Sequence, residues 1–369
     1  MKLSGYVTVS PRFSRSINLE RDLLSDVAVN GYVLTATGLD CISQIANALD
    51  KPSTGTAWTL TGPYGTGKSA FALYLTRLLA KRDEGIQARK LLQEAAPELY
   101  GRLFSRKAAV QEGFCSIVVS ATSDSLTKSL LSSAIRDVGR LGGRRKLKSV
   151  KELERLERKG EKVTSKAVVQ GFGGVILELR RLNLATGVVL IVDELGKALE
   201  HAARNSGDIF VLQELAELAA SYQIPGLLLI TLLHQSFEQY AAGLRASARN
   251  EWAKVQGRFA DIAFQDPPEQ VLHVLAKAIQ QRPDPVLGKI RSTASSIAAK
   301  MYEVGAAPKG FSKKAFISLA AALAPIHPAD IFPAACRRGS IPQNNRPPRH
   351  RHRPPRLWFL LFFARPPYY

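Results

Sequence analysis

The sequence predicts an α/β fold in which a three-layer core built on a parallel sheet is followed by a small all-helical lid. Three observations carry this. A glycine-rich turn joins a short apolar run at 57–60 to a helical pattern at 70–79. Further short apolar runs recur at 115–120, 188–192 and 226–233, with helical stretches between them, as expected of buried parallel strands and their crossovers. After a last short strand at 262–264, Pro267-Pro268 breaks the chain, and only helical periodicity continues, at 269–280, 290–302 and 313–323.

Earlier elements follow the same logic. Residues 39–49 space their apolar side chains helically with Asp40 near the start, and 87–96 reads as a helix stopped by Pro97. A helix over 125–138 follows the 115–120 strand, and another over 209–220 precedes the 226–233 strand. The predicted organisation is an N-terminal extension at 1–37 that wraps the edge of the core, a core at 38–266, a helical lid at 267–330 and a tail at 331–369.

The turn at 58–69 reads Trp-Thr-Leu-Thr-Gly-Pro-Tyr-Gly-Thr-Gly-Lys-Ser. Gly62, Gly67, Lys68 and Ser69 match the phosphate-loop pattern of a glycine, four residues of any kind, then Gly-Lys-Ser/Thr. Glycines at 62, 65 and 67 let the backbone wrap closely around an anion, and the amides at the start of the following helix point at it. Gly62, Pro63, Tyr64, Gly65, Thr66, Gly67, Lys68, Ser69 and Ala70 are therefore the expected ATP-binding residues. Lys68 would meet the β- and γ-phosphates, and the Ser69 hydroxyl would ligand Mg²⁺. The competing reading is an ordinary strand-to-helix turn, which the filled pattern and its strand–helix context disfavour.

A second chemical centre lies at the end of the 188–192 run, where Asp193 and Glu194 follow directly. An acid there suits the Mg²⁺ shell, the role expected of Asp193, and Glu194 suits polarisation of the attacking water. A helix-capping Asp-Glu pair is the alternative. The 226–233 strand runs into His234 and Gln235, either of which is expected to sense a γ-phosphate or orient the water, or simply to cap the next segment. Arg258, ahead of the last strand, is a candidate arginine finger on a neighbouring subunit's nucleotide, with Arg245, Arg249 and Lys254 as weaker candidates and a plain surface arginine as the rival reading.

Composition bounds the rest. At 369 residues with 46% apolar and 22% charged side chains, the chain is globular and can bury a sizeable core. Cys41, Cys115 and Cys336 show neither metal-ligand spacing nor a paired framework, which fits a reducing compartment. The first residues lack the apolar core of a secretion signal, and no apolar run reaches the ~20 residues of a membrane span. A cytoplasmic protein without a membrane partner is expected.

The net charge of +20 suits an acidic partner such as DNA. A charged insertion at about 140–166 contributes to it. Acids interrupt that basic run and no aromatics are interleaved, which favours a solvated helix with i,i+4 pairs such as Glu154–Arg158 over a nucleic-acid contact. The tail from 331 is rich in Pro and Arg, carries no acid and loses periodicity abruptly. It reads as a disordered or frameshifted end, with the 349–353 Arg/His cluster as the one segment able to touch nucleic acid.

In its order of parts the chain resembles the additional-strand catalytic-glutamate division of P-loop NTPases, and within it AAA+ ATPases of the origin-recognition and initiator type. Gly257-Arg258-Phe259 is similar to the Gly-Arg-Phe segment near the end of the AAA+ core, and 262–264 followed by Pro267 and a helix looks like the passage from core to lid. His234-Gln235 stands where the family usually has Asn or Thr, and no lid arginine matches a second sensor. The resemblance implies Mg²⁺-dependent ATP hydrolysis driving a conformational change on a partner, DNA or a DNA-associated complex, and a homo-oligomer or protein partner. The alternative is a signal-transducing ATP switch that gates an effector with slow or no turnover; the charged insertion before Asp193 and the altered C-terminus are also similar to large bacterial defence ATPases. A small-molecule kinase shares the phosphate loop, but Glu194 beside Asp193 favours attack by water. No Asn-Lys-x-Asp guanine-reading segment is present, which tilts the choice to ATP.

Overall fold

The computed structural model describes residues 5–331 apart from 11–12, 14–16, 26–28, 51–54, 105–111, 122–124, 144–145, 206–208 and 308–309. The Pro/Arg-rich tail lies outside the described residues. Seven strands occur among them: β1 Val7–Val9, β2 Ala57–Thr61, β3 Phe114–Ser120, β4 Gly187–Asp193, β5 Leu227–Leu233, β6 Ala260–Ala263 and β7 Ile279–Gln281. They fall into two compact units, one of Ser16–Pro267 and one of the described residues of 1–15 and 268–331.

The larger unit is the expected α/β core. Its sheet is parallel throughout, in the order β3-β4-β5-β2-β6, and one register row runs Val118, Ile191, Ile230, Trp58, Ala260. Because successive strand side chains point to opposite faces, the apolar runs feed two separate layers. Ile117, Val119, Leu190, Val192 and Leu229 pack on one face, and Val118, Val189, Ile191, Leu228 and Ile230 on the other. The phosphate-loop helix, Lys68–Leu79, is buried along nearly its whole length, with Phe71, Leu75, Leu78 and Leu79 in the second layer. Parallel strands share one carboxyl edge, so Thr61, Ser120, Asp193 and Leu233 end side by side. In such sheets the ligand crevice lies outside that edge.

The two sheet edges are handled differently. β6 is a four-residue edge, too short to template another strand. β3 is long, and its outward backbone groups are taken up by side chains. Asp137 accepts from the Val118 amide at 3.1 Å, Glu20 accepts from the Ser120 amide at 3.0 Å, and Arg136 donates to the Val118 carbonyl at 2.6 Å. Arg136 and Arg140 in turn pair with the buried Asp137 carboxylate. Asp137→Ala would leave the Val118 amide without its acceptor and take an ion-pair partner from both Arg136 and Arg140. It is expected to cost about 2 kcal/mol, read as a lower thermal-unfolding midpoint with nucleotide binding unchanged.

Several elements go beyond the sequence expectation, each for a local reason. Pro97 does end the helix Ile86–Ala95, but it also opens another, Pro97–Phe104, where its missing N–H is no loss. Arg89 caps the phosphate-loop helix, donating to the Ala80 carbonyl at 2.6 Å while its guanidinium lies over Phe104. The helix Ser165–Arg181 carries Gly171, Gly173 and Gly174, which are unfavourable in a helix interior. Packing overrides that cost: a Cβ at Gly171 would press on Leu153 of the neighbouring helix Lys148–Glu157. In the charged insertion, Arg155 pairs with Glu152 at 2.6 Å and Arg158 with Glu154 at 3.9 Å, the solvated-helix arrangement expected of it. Glu178 caps the insertion's helix by accepting from the Lys148 and Ser149 amides.

The smaller unit is helical, with Pro268–Ala278, Pro285–Glu303 and Lys313–Ala322 around Phe316, Leu319, Ala298 and Met301. It also holds a two-stranded antiparallel ribbon, β1 with β7, in which Val9 faces Ile279 and Val7 faces Gln281. The predicted helix over 269–280 therefore stops at Ala278, and 279–281 are extended. Gln281 explains why: its amide donates to the carbonyls of Ala321, Ala322 and Ala324, satisfying the frayed end of the helix Lys313–Ala322. The first 37 residues, expected as one extension, divide between the units. β1 belongs to the helical unit, while Leu19 of the short helix Leu19–Asp22 is buried in the α/β core. Among the described residues no helix is long and apolar enough to cross a membrane.

Candidate functional site

The phosphate loop leaves β2 at Thr61 and is pinned at once. The Gly62 amide donates to the Leu233 carbonyl at 3.1 Å, and a Cβ at Gly62 would collide with the carbonyl oxygen of Phe264. Only glycine fits there. Gly67 is required for a different reason: it has open space around it but a left-handed backbone, φ 90°, and it caps the helix Lys68–Leu79. Tyr64 and Gly65 form the exposed crest of the loop, and Ala70 is half-buried in the first helical turn.

Lys68 is turned back into its own loop. Its ammonium donates to the carbonyls of Gly62 and Pro63, the latter at 2.8 Å, with the Thr66 hydroxyl at 3.4 Å. Burial pulls its pKa down to about 8, a fall that nearby Asp193 opposes. A polyphosphate at the loop would give this buried cation a far stronger partner than two carbonyls.

Ser69 and Asp193 arrive from different elements and meet. The Ser69 hydroxyl donates to Asp193 Oδ2 at 3.1 Å, and the Glu194 amide donates to Oδ1 at 2.8 Å. Burial raises the Asp193 carboxyl, and those two hydrogen bonds pull against it. A half-buried carboxylate and a hydroxyl converging beside a phosphate loop, with no nitrogen or sulfur donor between them, fit the all-oxygen shell of Mg²⁺ and not that of a softer metal. Ser69 and Asp193 are the residues that would hold the ion.

Glu194 occupies left-handed backbone, φ 54°, which for a non-glycine residue costs on the order of 1 kcal/mol. Such outliers concentrate at functional sites. Its carboxylate is ion-paired with Lys197, one turn into the helix Leu195–Asn205, at 2.5 Å. Lys197 was not legible as a site residue, because nothing in the sequence distinguishes it from any other helix lysine.

His234 does reach the site. Its ring stacks on Tyr64 of the phosphate loop with centroids 3.4 Å apart and planes inclined by 24°. Burial, then Lys68, lowers its pKa, so the ring is held neutral. Nδ1 is buried without a hydrogen-bond partner among the described residues. The Tyr240 hydroxyl hydrogen-bonds the His234 backbone and lies hard against Gly196, where a Cβ would collide with it. Gln235, the other candidate on this strand end, is half-buried one residue further on.

Arg258 does not join the cluster. It lies two residues before β6, whose Ala260 is in register with Trp58 near the start of β2, so it sits at the end of the sheet away from Thr61 and the loop. Its guanidinium pairs with Glu217 at 3.1 Å and is about half exposed. Arg245 and Arg249 are exposed, and Lys254 pairs with Glu251 at 2.7 Å.

The larger unit thus presents a parallel sheet with a glycine-lined loop at its carboxyl edge and a half-buried acid from a second strand against the loop's serine. No family model matches the chain, and no curated protein matches it. Among solved structures it is similar to the Aeropyrum pernix ORC2 protein, determined as ADPNP–ADP complexes. The two are 13% identical with a TM-score of 0.40, over 83% of this chain and 74% of that one.

Proposed function

We propose that this chain is a Mg²⁺-dependent ATPase of the AAA+ type, in which hydrolysis drives a conformational change acting on DNA or a DNA-associated complex. The observation that carries the reading is the meeting of Ser69 with Asp193 beside the phosphate loop, with Glu194 next in the chain. The strand order supports it as well. β5 lies between the phosphate-loop strand and the Asp193 strand, as the additional-strand division requires.

The loop amides beyond Pro63 and the Lys68 ammonium bind the phosphates, and Ser69 and Asp193 hold the ion. When bound, Mg²⁺ neutralises charge on the β- and γ-phosphate oxygens. Glu194 orients a water and accepts its proton as it attacks the γ-phosphate in line. His234, neutral and stacked on the loop, is placed to report the γ-phosphate to β5. The hold of Lys197 on Glu194 favours one second reading, an ATP switch with slow turnover that gates an effector. A trans-acting role for Arg258 requires a neighbouring subunit to engage an arginine now paired with Glu217.

Steady-state phosphate release from MgATP, with and without duplex and single-stranded DNA, tests the proposal. Turnover that rises several-fold with DNA is the expected result. Turnover indifferent to DNA would leave the ATPase and remove the DNA partner, and tight ATP binding without turnover in any mixture would favour the switch.

A further inference from the structure

Lys197 is the cation at the site that the proposed chemistry does not yet use. Its amine is 2.5 Å from Glu194 Oε2, and Asp193 and Tyr64 of the phosphate loop both lie within electrostatic reach of it. Three features make this pair more than an ordinary helix contact. Glu194 projects from left-handed backbone, so its carboxylate is aimed by the chain and not by rotamer choice alone. Both side chains are substantially exposed, 52% for Lys197 and 40% for Glu194, so the bond is weak in water and open to exchange. Tyr64, on the crest of the loop and within electrostatic reach of Lys197, is itself fixed by stacking on His234. Lys197 therefore stands where a terminal phosphate on the loop would compete with Glu194 for its charge.

We propose that Lys197 reads the third phosphate. With the site at rest its ammonium holds the Glu194 carboxylate. A nucleoside triphosphate, bearing more charge than a single carboxylate, draws the ammonium to its γ-phosphate and leaves Glu194 free to take up water. A nucleoside diphosphate offers nothing at that position, and the Glu194–Lys197 pair persists. Lys197 is a positioning residue with respect to Glu194 and a specificity residue for triphosphate over diphosphate. The inference rests on the ATPase reading and adds to it the group that distinguishes the substrate from the product.

The test is equilibrium binding of a fluorescent non-hydrolysable ATP analogue and of the matching ADP derivative, both with Mg²⁺, to the full chain and to Lys197→Met and Lys197→Arg, with circular dichroism to verify folding. Lys197→Met is expected to weaken the triphosphate about tenfold while leaving the diphosphate within twofold, and Lys197→Arg to restore most of the preference. Equal affinities in all three proteins, or equal weakening of both nucleotides in Lys197→Met, would overturn the proposal and leave the ATPase reading intact. A wild-type chain that binds neither nucleotide overturns the ATPase reading and this inference together.

Discussion

Lys68→Ala is expected to weaken MgATP binding about a hundredfold and to take turnover below detection, since a charge-assisted contact of this kind contributes about 1.5–3 kcal/mol. The fold should survive, because the side chain bonds only to carbonyls and a hydroxyl of its own loop. The measurement is a fluorescence titration beside a phosphate-release assay, with circular dichroism to verify folding. Unchanged affinity and turnover would remove the loop from the chemistry. The pH dependence has a definite sign. Burial has pulled the Lys68 pKa down to about 8. A bound polyphosphate favours the charged form, so affinity falls as pH rises through that value in the wild-type protein. Lys68→Ala lacks this dependence, and the gap between the two proteins narrows in alkaline solution.

Glu194→Gln is the second large effect. Loss of a general base is worth about 10²–10⁴ in rate, and kcat is expected to drop by about that much. ATP affinity should stay within a few-fold, since glutamine keeps the shape and the Asp193–Ser69 pair is untouched. The variant also loses the ion pair to Lys197, but that pair is exposed and contributes little to stability. A kcat within threefold of wild type would show that water is activated by some other group.

The contrast between these residues and Lys197 shows what could be read from the chain. Lys68, Ser69 and the glycines carry a fixed spacing imposed by a phosphate, so they are visible without coordinates. Asp193 is visible because a run of buried strand residues ends in a charge, which burial alone would never select. The core was legible for a similar reason. The strands are buried on both faces, so they appear as unbroken apolar runs of about the right length. What stayed hidden depended on contacts distant in sequence. The helix Ser165–Arg181 carries glycines unfavourable to a helix, and the close approach of Leu153 to Gly171 and of Ile224 to Gly173 accounts for two of them. β7 looks like the end of a helix until Val7–Val9 is available to pair with it. Lys197 and the Tyr64–His234 stack have no sequence signature, because their meaning lies wholly in where β4 and β5 deliver them.

The close approach of Gly62 to Phe264 has a mechanical meaning as well as a steric one. The Phe264 amide donates to the Thr61 carbonyl at 2.7 Å, and its own carbonyl lies against the Gly62 Cα. Phe264 is three residues short of Pro267, where the α/β unit ends. The first bend of the phosphate loop and the stretch of backbone leaving the core are therefore in direct register, with no side chain between them to absorb slack. A displacement of that bend would bear directly on the Phe264 carbonyl, because glycine at 62 leaves no side chain to take it up.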